Sequence, residues 1–106
     1  MSKGDIVLVK FPFTNLGGSK LRPAVIIAEA KLDVLLCFIT SQTQWQDSFD
    51  IHMLPTSENG LLKESLIRTS KITTIEKPLL KGLLGKLSSD EIALVNQKLK
   101  ELLELE

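Results

Sequence analysis

Arg22 and Thr40, near the two ends of the stretch LRPAVIIAEAKLDVLLCFITSQ (Leu21 to Gln42), are the residues best placed by type and spacing to do chemistry. A guanidinium grips two phosphate oxygens through its planar fork and keeps its charge at any working pH, and a hydroxyl adds an orienting hydrogen bond. The pair therefore suits an anionic group on which negative charge builds during reaction. The stretch that carries them is the longest apolar run in the chain, interrupted only by the polar turn at Glu29, Lys31 and Asp33. Both halves are rich in Val, Ile, Leu and Phe over strand lengths and lack helical periodicity, which predicts a β-hairpin. With the turn centred on Lys31, Ala24 falls opposite Phe38, Ile26 opposite Leu36, and Arg22 opposite Thr40. Opposed side chains have Cβ atoms about 5 Å apart, so both groups reach one ligand at the hairpin's open end. A slip of one residue would separate them onto opposite faces.

Other elements must hold that hairpin. GDIVLVKF (Gly4 to Phe11) sets Ile6 and Leu8 on one face and Val7, Val9 and Phe11 on the other, a strand buried on much of both faces that stops at Pro12. Residues 12–20, PFTNLGGSK, lack periodicity and hold Gly17 and Gly18, predicting a loop that moves or approaches a ligand closely. Pro23 offers no N–H, so the second strand begins near it or runs along an edge. Trp45, in a polar segment, reads as a packing or dimer-interface residue, with base stacking as the sharper alternative. FDIHML (Phe49 to Leu54) alternates, which predicts a half-exposed strand with Asp50 and His52 on the wet face. Pro55 to Glu64 is expected to be a loop or a short helical turn. SLIRTSKITTI (Ser65 to Ile75) reads as two short strands kinked near Ser70, and KPLLKGLLGKL as a short helical turn and a loop. Ser88 and Glu91 form a capping-box pattern that opens a helix with Ile92, Val95, Leu99, Leu102 and Leu103 on one stripe.

Composition bounds the function. The chain of 106 residues, 43% hydrophobic, is expected to form one domain, residues 1–106, at the small end for a self-sufficient core, so oligomerisation is a natural supplement. No run is long enough to span a membrane and the MSKGD start lacks a signal-peptide core, so the protein is expected in the cytoplasm. Net charge is zero, against a polyanion binder that coats any nucleic acid. Residues 1–87 nevertheless hold eleven Lys or Arg against eight Asp or Glu, and residues 88–106 hold two against five. A mildly positive body with an acidic tail still presents a local anion site. One histidine and one cysteine cannot build the usual zinc site, and no glycine-rich loop ends in Lys-Ser or Lys-Thr. Neither a metal nor a cofactor is expected. Cys37, inside an apolar strand, reads as a buried inert thiol.

Five pieces in order resemble the MazF/PemK family of bacterial toxin endoribonucleases: GDIVLVKFPFT, a glycine-bearing loop leading to LRPAVII, a strand ending in FITSQ, SLIRTSKITTI, and the closing LGKLSSDEIALV helix. The Arg-Pro after a Gly-containing loop, joined to Ile-Thr-Ser at the end of the next strand, is the most specific part. The resemblance implies a mainly β fold with a C-terminal helix, an SH3-like small β-barrel. It also implies a homodimer, a partner antitoxin peptide, and metal-independent, sequence-selective cleavage of single-stranded RNA. By the same resemblance Arg22 and Thr40 are catalytic, and Ser41, Gln42, Arg68, Ser70 and Lys20 contact RNA. Two departures stand out: Ser70 occupies a position where some members carry an aspartate, and no histidine lies between Pro12 and Lys20. The rival reading from another class is a non-catalytic barrel that binds nucleic acid or a protein target.

Overall fold

A computed structural model describes residues 1–11, 20–44 and 46–106, so the expectations for the loop after Pro12 and for Trp45 lie outside the described residues. Among the described residues six strands and one α-helix follow in order: β1 Asp5–Phe11, β2 Lys20–Glu29, β3 Asp33–Thr40, β4 Asp50–Met53, β5 Ser65–Glu76, β6 Leu80–Lys86 and α1 Ser89–Leu103. They form one sheet in the order β4-β5-β3-β2-β1-β6 with every neighbouring pair antiparallel. This mainly β architecture with a C-terminal helix is the one expected.

Apolar residues alternate along the central strands, and the sheet is buried on both sides. One face carries Ile6, Val25, Cys37, Ile39 and Ile67, joined by Ile51 and Met53 of β4 and Val95 of α1. The other carries Val7, Val9, Ala24, Ile26, Leu36 and Ile75, with Phe38, Leu79 and Leu80 packed against them. The end strands β4 and β6 share no ladder. They are brought together by the loop of residues 54–64, where the Lys86 N–H donates to the Glu58 carbonyl at 2.9 Å. That bridge gives the linear sheet its barrel-like enclosure of the first cluster.

Three segments differ from the sequence reading. KPLLKGLLGKL becomes a single 3-10 turn, Lys77–Leu79, followed by the strand β6. β6 pairs along β1 with two register shifts. Gly85 serves close approach, since a Cβ there would sit 2.2 Å from the Glu58 oxygen. The stretch from Ser65 is one continuous strand, and the expected kink near Ser70 is a bulge: Cys37 pairs with Ile72 but Ile39 pairs with Ile67. Asp50 is buried rather than wet, because the β4–β5 register sets it opposite Arg68, whose Nε lies 2.9 Å from its Oδ1.

The helix starts as the capping box predicts. Ser88 Oγ accepts from the Glu91 N–H at 3.1 Å, and Glu91 Oε1 accepts from the Ser88 N–H at 2.8 Å. Val95 is buried, with Ile92 and Leu99 packed beside it, whereas Leu103 at the end of the stripe is 52% exposed. Ser88→Ala should lower stability by about 1 kcal/mol in urea unfolding. The hairpin's open end should be untouched; a variant that unfolds like the parent would show that the cap contributes nothing.

Candidate functional site

The hairpin of β2 and β3 has the expected register at its centre: Ala24 faces Phe38, Val25 faces Cys37 and Ile26 faces Leu36. Nearer the turn a bulge after Ile26 shifts the pairing, so that Ala28 faces Leu35. The bulge lies away from the open end. The β2–β3 ladder ends at Ala24 and Phe38, so Arg22 and Thr40 lie beyond its paired residues, and both line one groove of about 560 Å³.

This groove wraps the ends of the strands. Arg22 and Pro23 of β2 and Ile39 and Thr40 of β3 all line it. One wall is Lys20, Leu21 and Arg22 at the start of β2; Thr40, Ser41 and Gln42 form the exit of β3. The far wall is Gly60 to Lys63 from the loop before β5. Thr40 is half-buried, and its Oγ1 accepts from the Gln42 N–H at 3.1 Å. That bond turns the chain out of β3 and leaves the hydroxyl proton for donation. Ser41 and Gln42 are exposed, and Gln44 Nε2 donates to Gln42 Oε1 at 3.3 Å.

Among the described residues Lys20, Arg22 and Lys63 line the groove, and no Asp, Glu, His or Cys does. In a chain of zero net charge this is a local concentration of cations. It offers fixed positive charge and hydrogen-bond donors to an anion, without a carboxylate or imidazole to move a proton. Arg68 and Ser70 do not line it: Ser70 sits in the β5 bulge, and Arg68 points its Nε at the buried Asp50. His52 is exposed and pairs with Glu64 Oε2 at 2.5 Å, also outside the groove. Cys37 is fully buried, and burial pushes its thiol up to about 11, so it is a neutral, inert thiol. Among the described residues no group of three or more His, Cys, Asp or Glu is placed to hold a metal ion, and no helix is long and apolar enough to cross a membrane.

The far wall escaped the sequence reading. Its signal was the apolar pair Leu61-Leu62 beside Lys63, directly after Asn59-Gly60, in a segment whose polar residues suggested only a loop.

A family model described as "PemK-like, MazF-like toxin of type II toxin-antitoxin system" matches residues 2–103. The chain belongs to this family. Solved structures of PemK/MazF-like proteins show the same fold. The MazE-MazF complex from Deinococcus radiodurans (Form-III) contains a chain 20% identical, with a TM-score of 0.79, covering 100% of this chain and 98% of that one. The Mycobacterium tuberculosis toxin MazF-mt6 is 17% identical with a TM-score of 0.77, covering 96% of this chain and 98% of that one. An endoribonuclease from a Mycobacterial species, solved in complex with its cognate antitoxin, is 20% identical with a TM-score of 0.77, covering 100% of this chain and 97% of that one. No curated protein matches this PemK/MazF-like chain.

Proposed function

We propose that this toxin-family chain is a metal-independent, sequence-selective endoribonuclease acting on single-stranded RNA, with Arg22 and Thr40 at the scissile phosphate. The observation that carries the reading is the groove itself, in which, among the described residues, a guanidinium and a hydroxyl share one space with two lysines and no carboxylate. In the reaction the 2′-hydroxyl oxygen attacks the adjacent phosphorus and the bond to the 5′-oxygen breaks. The products are a 2′,3′-cyclic phosphate and a 5′-hydroxyl, the proton passing from the nucleophile to the leaving oxygen. Negative charge builds on the nonbridging oxygens in between. Arg22 opposes that charge with two parallel N–H donors, and the Thr40 hydroxyl donates to the same phosphate. An arginine stays protonated, so its part is electrostatic and not that of a base. Ser41, Gln42 and Lys20 border the same groove and contact the flanking nucleotides. Arg68 and Ser70, outside it, contact RNA only if the strand runs beyond the groove.

Two relatives of the same fold were solved with an antitoxin or as a MazE-MazF pair. By analogy, a short acidic and apolar antitoxin segment occupies this groove and competes with RNA, and the chain works as a homodimer in the cytoplasm. The affinity of that segment should fall as salt rises. The direct test is cleavage of unstructured RNA by the purified protein, with and without a chelator. Cleavage insensitive to chelation and inhibited by the antitoxin segment is expected. RNA binding without any cleavage would favour the non-catalytic reading.

A further inference from the structure

We infer that Leu62 and Lys63 form an RNA-reading wall, Leu62 covering the face of a base beside the scissile phosphate and Lys63 holding a neighbouring phosphate. The inference deepens the endoribonuclease reading and rests on it.

The loop of residues 54–64 presents these side chains from a fixed frame. Asn59 is 1% exposed and fully engaged: its Oδ1 accepts from the N–H groups of Thr56 and Leu61 at 3.0 and 2.9 Å, and its Nδ2 donates to the Leu54 carbonyl at 2.9 Å. Gly60 follows at φ +68, so close to β6 that a Cβ would meet the Leu84 oxygen at 2.2 Å. Only glycine takes that conformation and that approach together. Leu61 is then buried, while its neighbour Leu62 is 95% exposed. A held loop that turns a leucine wholly into water, on the rim of a cationic groove, carries uncovered apolar surface where a ligand passes.

Lys20 and Arg22 share one side of β2 and Leu21, 53% exposed, lies on the other, and all three line the groove. Positive and apolar side chains in one groove, with no acid among its described lining residues, complement a chain that alternates phosphates with flat apolar faces. Single-stranded RNA is such a chain. A duplex is not, because its base faces are stacked inside.

The test starts by sequencing the cut sites that the parent makes in a randomised RNA pool. The preferred sequence is then prepared with 2′-O-methyl groups throughout, which bars attack, and its affinity is measured across salt concentrations. Leu62→Ser should weaken binding by about fivefold to tenfold at every salt concentration, as for loss of one apolar contact, and blur base preference at one position beside the cut. Lys63→Gln should weaken binding to all sequences alike and lower the slope of log affinity against log salt by about 0.7, as for one lost phosphate contact on a single strand. Both residues are exposed, so unchanged melting should accompany both effects. A cutting parent whose two variants bind and select RNA as it does would overturn this inference alone. Variants that keep RNA affinity but lose the cognate antitoxin peptide would overturn it in favour of a protein-binding wall. A parent that neither cuts nor binds the pool would overturn the endoribonuclease reading and this one with it.

Discussion

Arg22→Lys should slow single-turnover RNA cleavage by about a hundredfold or more, although it conserves charge. A lysine ammonium is a point charge on a flexible stem. It cannot offer two parallel donors to two oxygens of one phosphate, so the stabilisation that grows as the phosphorus becomes five-coordinate is lost. Thr40→Val removes one donor at nearly constant volume and should cost about a hundredfold by the same reasoning. If the two side chains act on one phosphate, the double variant should lose less free energy of activation than the two single losses added together. Arg22 is exposed, so none of this should come from unfolding, and circular dichroism checks that point. A folded Arg22→Ala protein cleaving at near-parental rates would remove Arg22 from the site.

The central hairpin register was legible because hairpin geometry is local. Alternation set the faces of β2 and β3, and the polar turn around Lys31 fixed the central register, in which Ala24 meets Phe38. The bulge after Ile26, which no residue pattern announced, falls on the turn side of that register. What failed was nonlocal. Alternation set Asp50 on the wet face together with His52, and only His52 is exposed there. Burial of Asp50 depends on Arg68, a residue that reaches it across the β4–β5 ladder. The leucine-glycine repeat before the helix has weak strand propensity, and β6 exists because β1 supplies its partner and the loop at Asn59 leaves room only for glycine. The far wall of the groove arises likewise, since nothing local to Leu62 tells that Asn59 and Gly60 clamp its loop against β6.

Arg68→Ala should destabilise the fold by about 3 kcal/mol, the low end for breaking a buried ion pair, because Arg68 is itself partly exposed. The cost lies in what it leaves behind. The Asp50 side chain is wholly buried, its Oδ1 facing Arg68 Nε at 2.9 Å and its Oδ2 accepting from the Asp47 N–H at 3.0 Å. Without the guanidinium, Oδ1 loses its charged partner in a site poor in water. For a chain of this size the melting temperature should fall by roughly 10 to 20 °C. The control is Arg68→Ala in an Asp50→Asn background, where the neutral amide makes a smaller demand on its neighbour. There the same change should cost distinctly less, a coupling that a double-mutant cycle in urea reads directly. The outcome also weighs Arg68 as an RNA contact. Below its melting transition, Arg68→Ala should lose much less cleavage than Arg22→Lys, because its guanidinium serves Asp50 outside the groove. A variant as stable as the parent but as inactive as Arg22→Lys would reverse that assignment and move Arg68 to the phosphate.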